Sequence, residues 1–156
     1  MKNEHTTSTE VQIARRGQFA IWSELVKLRL TTMVLITTAM GFYLASANAF
    51  DWMMLLHALS GTGLLACGAA ALNQYLEKEF DAKMPRTANR PIPAGNIRPE
   101  RALLAGGALA VIGLVYLAVQ VNPITSVIGA VTLVSYIAVY TPLKRVTSLN
   151  TIVGAI

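Results

Sequence analysis

Four stretches of this chain carry no charged residue: 30–49, 52–76, 102–121 and 123–143. Each approaches the ~20 residues that a helix needs to cross a bilayer core. A fifth apolar run begins near Leu149 and is cut off at Ile156. The pattern predicts an all-α fold, a polytopic transmembrane helix bundle with four spans and the start of a fifth. It also leads us to expect the front part of a longer protein. Residues 1–19 read as a polar N-terminal tail. That tail does not resemble a signal peptide, since no short apolar core with a small-residue cleavage site follows it. The membrane domain then covers 20–156.

Local signals agree with these spans. In "NIRPE", Pro99 stands at a helix start and Glu100 in the first turn, where a proline loses no bond and an acid suits the helix dipole. In "VNP", Asn122 is a cap and Pro123 the first helical residue. "SGTGLLACGAAA" and "AGGALAVIG" are rich in small residues, which let membrane helices approach closely.

Composition changes the picture only where charge is concerned. The chain is 54% apolar and 13% charged, about half the charge of an ordinary soluble domain. Its net charge of +5 comes from 13 Lys and Arg against 8 Asp and Glu. Every Lys and Arg falls before the first span, between the second and third, or after the fourth. The two intervening connections carry none. This asymmetry places the basic loops and the N-terminus in the cytoplasm. Topology and anionic lipid or substrate account for the charge, and nucleic acid is not needed. A single cysteine, Cys67, excludes a disulfide framework or a cysteine metal site within one copy.

The densest polar segment is "NQYLEKEFDAKMPRTANRP", 73–91, where the second span ends. Asn73, Glu77 and Asp81 are spaced four apart, so in a helix they share one face and climb about 6 Å per step. Glu79 points elsewhere. Arg86 and Arg90 follow in a loop stiffened by Pro85, Pro91 and Pro93. Magnesium is held by one or two carboxylates together with substrate phosphates, and arginine forks onto phosphate oxygens. Asn73, Glu77 and Asp81 are therefore candidate catalytic and metal-binding residues, with Mg²⁺ as cofactor, and Arg86 and Arg90 candidate diphosphate ligands. The competing reading is a solvated salt-bridge face at a helix end. Against it, ionisable groups that begin within an apolar run are expensive and mark function. No P-loop, HExxH or nucleophile elbow is present.

Further candidates each carry two readings. Lys144 and Arg145 either anchor topology or bind diphosphate. Tyr140 is either a diphosphate ligand or an interfacial belt residue. His57, toward the far end of the second span, reads as a satisfied interface residue rather than a haem ligand. Trp22 and Trp52 read as belt residues, and Cys67 as packing.

The series Asn73-xxx-Glu77-xxx-Asp81-xx-Met84-x-Arg86-Thr87-xx-Arg90-Pro91 resembles the first acidic motif of the UbiA superfamily of intramembrane prenyltransferases. Its "MxRTxxRP" ending is similar to the protoheme IX farnesyltransferase branch. Gln74 stands where quinone-type relatives have a second Asp, and Glu77 where many have Asp; both fit the haem branch. "YTPLKRVTSLNTIVGAI" resembles the family's loop after the fourth span. The resemblance covers the chain from about Leu25 onward. It implies a nine-helix bundle with two acidic motifs facing a central cavity, the second of them absent from this chain. It implies transfer of a farnesyl group from farnesyl diphosphate to the vinyl group of haem b, giving haem O, in an integral membrane protein of the bacterial inner membrane. Haem A synthase would be a partner enzyme. Two alternatives remain: a related prenyltransferase acting on a quinone or chlorin precursor, and a non-catalytic membrane subunit.

Overall fold

The computed structural model describes residues 17–46 and 50–141. Five α-helices follow in order: α1 Gln18–Leu25, α2 Leu28–Ala45, α3 Trp52–Asp81, α4 Pro99–Gln120 and α5 Pro123–Val134. A π-helical segment, Ser135–Tyr140, continues α5 without a break. The described residues contain no strand, and the expected all-helical bundle is what forms.

Three helices, α2, α3 and α4, are long and apolar enough to cross a membrane, and the chain is an integral membrane protein. The fourth expected span is built differently. Its α-helical part stops at Val134 and the last turns widen to π geometry. The fifth run beginning near Leu149 and the tail over 1–16 lie outside the described residues. The eight residues of α1 form a helix at the boundary assigned to the tail.

The caps arise as the sequence dictates. Asp51 accepts from Met53 and Met54 N–H at the start of α3, and Asn122 accepts from Thr125 N–H at the start of α5. These satisfy amide donors that a helix start leaves open. Pro99 and Pro123 each sit in the first turn of their helices. Ala, Leu and Val dominate the interiors, while Leu104, Val119 and Ile124 are exposed on the outer faces, as suits side chains that meet lipid.

The most extensive packing joins α3 to α4. Glycine makes it possible. A Cβ on Gly68 would lie 2.6 Å from Ala110 N and 2.7 Å from Gly106 O, and one on Gly113 would lie 2.8 Å from Leu65 N. The two backbones thus touch directly, and dispersion replaces the hydrophobic drive that lipid does not supply. α2 packs against α3, and α5 packs mainly against α4. At one end of the bundle, Ile21 and Leu25 from α1 join Ala71, Ile92, Ile97 and Ala102 in a small core. That core pins both α1 and the loop between α3 and α4 onto the helix pair.

Candidate active site

At 1.5 Å per residue, the 30 residues of α3 span about 45 Å, against about 30 Å for a bilayer core. An excess of roughly ten residues therefore reaches into or past the membrane surfaces, and the charged end of the helix, 77–81, is the part that a bilayer core excludes most strongly. Asn73, Glu77 and Asp81 do share one face, and all three are buried, at 3%, 6% and 5% exposure. A solvated salt-bridge face would leave them open, so burial removes that reading. Glu79 is exposed, on another side of the helix.

The strip is bonded along its length. Asn73 Nδ2 donates to Glu77 Oε2 at 3.1 Å. Thr141, at the end of the π-helical segment, donates from Oγ1 to Asn73 Oδ1 at 3.0 Å. Arg90 donates from one guanidinium nitrogen to Asp81 Oδ2 at 2.5 Å, and the same nitrogen lies 3.7 Å from Glu77 Oε2. One cation thus bridges both carboxylates. The loop is folded back to allow this. Thr87, itself buried, donates to the Asp81 backbone carbonyl at 3.0 Å, and the buried Pro91 and Ile92 anchor the chain beyond Arg90.

The arginine pair expected from the sequence is therefore divided. Arg90 reaches the acids, and Arg86 is exposed on the loop. Lys144 and Arg145 lie outside the described residues. Tyr140 ends the π-helical segment, and its side chain is likewise outside the description. His57 Nδ1 lies 2.8 Å from the Tyr116 hydroxyl, the satisfied histidine expected of a helix interface.

Two contributors went unassigned in the sequence. Thr141 lies in the second family-like segment, "YTPLKR", but nothing local shows that it meets Asn73. Gln74 is 1% exposed, and its Nε2 donates to both Glu24 O and Leu25 O, each at 2.9 Å. The amide at that position ties α1 to α3, a task that an aspartate, lacking a donor, would not perform.

An apolar cavity of about 590 Å³ lies between α2, α3 and α5. Leu30, Val34, Leu65, Ala69, Ile128 and Leu133 form much of its wall. Lys27, Ala70 and Tyr136 line the end nearest Asn73. Tyr136 is linked to the strip, because its carbonyl accepts from the same Thr141 hydroxyl that bonds Asn73. The arrangement joins a hydrocarbon-lined cavity to a buried polar strip at one end of the bundle.

Among the described residues, no group of three or more His, Cys, Asp or Glu could hold a metal ion. Two carboxylates on one strip are the donor set that magnesium uses when substrate phosphates complete its shell. Glu77 and Asp81, both hard oxygen donors, fit that mode and do not fit a cage built from protein alone.

The profile of the UbiA prenyltransferase family matches residues 34–156. Protoheme IX farnesyltransferase of Solibacter usitatus is 46% identical over 142 residues, covering 85% of this chain and 49% of that protein. The mitochondrial protoheme IX farnesyltransferase of Homo sapiens is 43% identical over 136 residues, covering 87% of this chain and 30% of the relative. Protoheme IX farnesyltransferase 1 of Pseudomonas putida is 37% identical over 143 residues, covering 91% and 48%. The chain thus spans about half the length of its bacterial relatives and less of the human one. No solved structure matches it. With residues 34–156 matched by the family profile, and with relatives well above 30% identity over most of its length, the chain belongs to the UbiA prenyltransferase family.

Proposed function

We propose that this chain forms part of a protoheme IX farnesyltransferase, which transfers the farnesyl group of farnesyl diphosphate to a vinyl group of haem b and yields haem O. The observation that carries the proposal is the buried strip of Asn73, Glu77 and Asp81 beside an apolar cavity. The relatives compared above are protoheme IX farnesyltransferases, which favours haem b as acceptor over a quinone or chlorin precursor.

In this scheme Glu77 and Asp81 would hold Mg²⁺ together with substrate phosphates, and Asn73 orients Glu77 through its amide. When bound, the metal draws negative charge onto the leaving group. Arg90 and Arg86 contact diphosphate oxygens, together with Lys144, Arg145 and Tyr140. Arg90, which neutralises the acids in this structure, turns to the phosphate oxygens once the acids are engaged. The allylic carbon–oxygen bond breaks and diphosphate departs. The haem vinyl carbon attacks the allylic carbon, and water adds to the resulting cation and loses a proton, leaving a hydroxyethylfarnesyl group. The apolar cavity receives the isoprenoid chain and keeps water from the allylic cation before the vinyl reaches it. The one-sided distribution of Lys and Arg supports a cytoplasmic strip and N-terminus, and the membrane in this reading is a bacterial inner membrane. Haem A synthase is the enzyme expected to take up the product.

The test uses the complete gene product in membranes, supplied with haem b, Mg²⁺ and farnesyl diphosphate. Asp81→Asn is expected to abolish haem O formation while the protein stays folded in the membrane. Wild-type turnover in that variant would make the strip structural. Failure of the unaltered protein to form haem O would favour a different acceptor or a non-catalytic role.

A further inference from the structure

Only Val26 and Lys27 separate α1 from α2, and Lys27 is the one non-glycine residue with positive φ among the described residues, at φ 49° and ψ 53°. A lysine is disfavoured there because its Cβ crowds the following carbonyl. Such conformations persist only where the surroundings fix them. Here two side chains do so. Gln74 donates to the carbonyls of Glu24 and Leu25, on the α3 side of the turn. Thr31 donates to Val26 O at 3.0 Å from the α2 side. The fully buried Leu25 locks the end of α1 into the small core.

The product of this fixing is the location of Lys27. Among the described residues, it is the only charged one that lines the cavity. The same cavity is lined by Ala70, one turn before Asn73 on α3, and the turn that carries Lys27 is tied to α3 at Gln74, which sets Lys27 at the level of the strip along the bundle. A hydrocarbon-walled cavity with one cation at its polar end fits an amphiphile with an anionic head.

We propose that Lys27 binds the anionic head of the isoprenoid diphosphate, and that Gln74 is a positioning residue that presents Lys27 to it. This rests on the proposed diphosphate substrate. Lys27 adds a cation from the cavity side to those contributed by the loop after α3. The Gln74 amide acts through the end of α1 and does not itself meet the ligand.

The backbone makes a discriminating variant available. Glycine adopts positive φ without strain, so Lys27→Gly removes the cation and keeps the turn. Binding is measured on the complete gene product in detergent, with farnesyl thiodiphosphate and farnesol as probes and thermal unfolding followed in parallel. Lys27→Gly is expected to unfold no earlier than the unaltered protein and to bind farnesyl thiodiphosphate about ten- to a hundredfold more weakly, the range of one charge-assisted hydrogen bond. Farnesol binding should not change, and Lys27→Arg should recover most of the loss. Gln74→Leu should weaken the diphosphate probe alone, and should add little in the Lys27→Gly background because the two act as a unit. Unchanged thiodiphosphate binding in Lys27→Gly, or equal loss of both probes, overturns the proposal while leaving the proposed function standing. A folded, unaltered protein that binds neither probe overturns both.

Discussion

Asp81 Oδ2 lies 2.5 Å from the guanidinium of Arg90, nine residues further along a loop that turns back on itself. The Arg90 side chain is 23% exposed, and those of Asp81 and Glu77 are 7% and 8%. Removing this cation leaves two buried carboxylates facing each other. After allowance for its partial exposure, Arg90→Met should cost about 1–3 kcal/mol of stability. Arg86→Met, on the exposed side of the loop, should stay within about 0.5 kcal/mol. Thermal unfolding in detergent separates the two, and equal effects would mean that the bridge contributes nothing. Because a single nitrogen makes both contacts, Arg90→Lys should keep most of the stability. It should nonetheless use farnesyl diphosphate about ten- to a hundredfold less well if the arginine forks onto phosphate.

Thr141 is 2% exposed and holds Asn73 Oδ1. Thr141→Val keeps the shape and removes the donor, leaving a buried amide oxygen without this partner. A loss of about 1–3 kcal/mol is expected, and Thr141→Ser should recover most of it. Chemical unfolding of the three proteins checks this. A valine variant as stable as the parent would show that Asn73 finds another partner at no cost.

The contact between α3 and α4 gives a paired prediction. At Gly68 an added methyl meets backbone atoms that cannot rotate away, whereas at Gly107 it meets nothing within 4 Å. Gly68→Ala should destabilise by about 1–3 kcal/mol through overpacking. Gly107→Ala should be neutral or gain up to about 1 kcal/mol in helix preference. Folded yield by size-exclusion in detergent ranks them; the reverse order would refute the close approach of the helices.

The orientation proposed from the charge distribution can be checked independently. With Cys67 replaced by Ala, a cysteine introduced at Asn122 should react only with an impermeant thiol reagent applied from outside. One at Asn89, in the α3–α4 loop, should react only from the cytoplasmic side. The opposite pattern would place the acidic strip on the wrong side for a cytoplasmic substrate.

What could be seen in the sequence follows from range of interaction. Spans show themselves by an absence of charge over ~20 residues, and the Asn122 cap and the first-turn Pro99 act within one turn. The face shared by Asn73, Glu77 and Asp81 needs only helical periodicity. The partners of these residues were not visible, because each depends on the chain returning from elsewhere. Nothing near Arg90 distinguishes it from Arg86 until Thr87 caps Asp81 and Pro91 is buried. Gln74 looked like a departure from a motif, and its role lies in carbonyls 49 and 50 residues away. The change from α to π winding after Val134 has no single-residue signal in an apolar run of this kind.

That change of winding acts as a phase offset in the helix. The Thr141 hydroxyl donates to Tyr136 O five residues back, as well as to Asn73. An α-helix advances about 100° per residue and a wider π turn less, so restoring α winding over 135–140 at constant length would carry Thr141 round the axis and off the strip. Deleting one residue there as the winding reverted to α would largely bring it back. Winding and residue count between Pro123 and Thr141 are thereby specified together, and a change in either alone displaces the hydroxyl from Asn73.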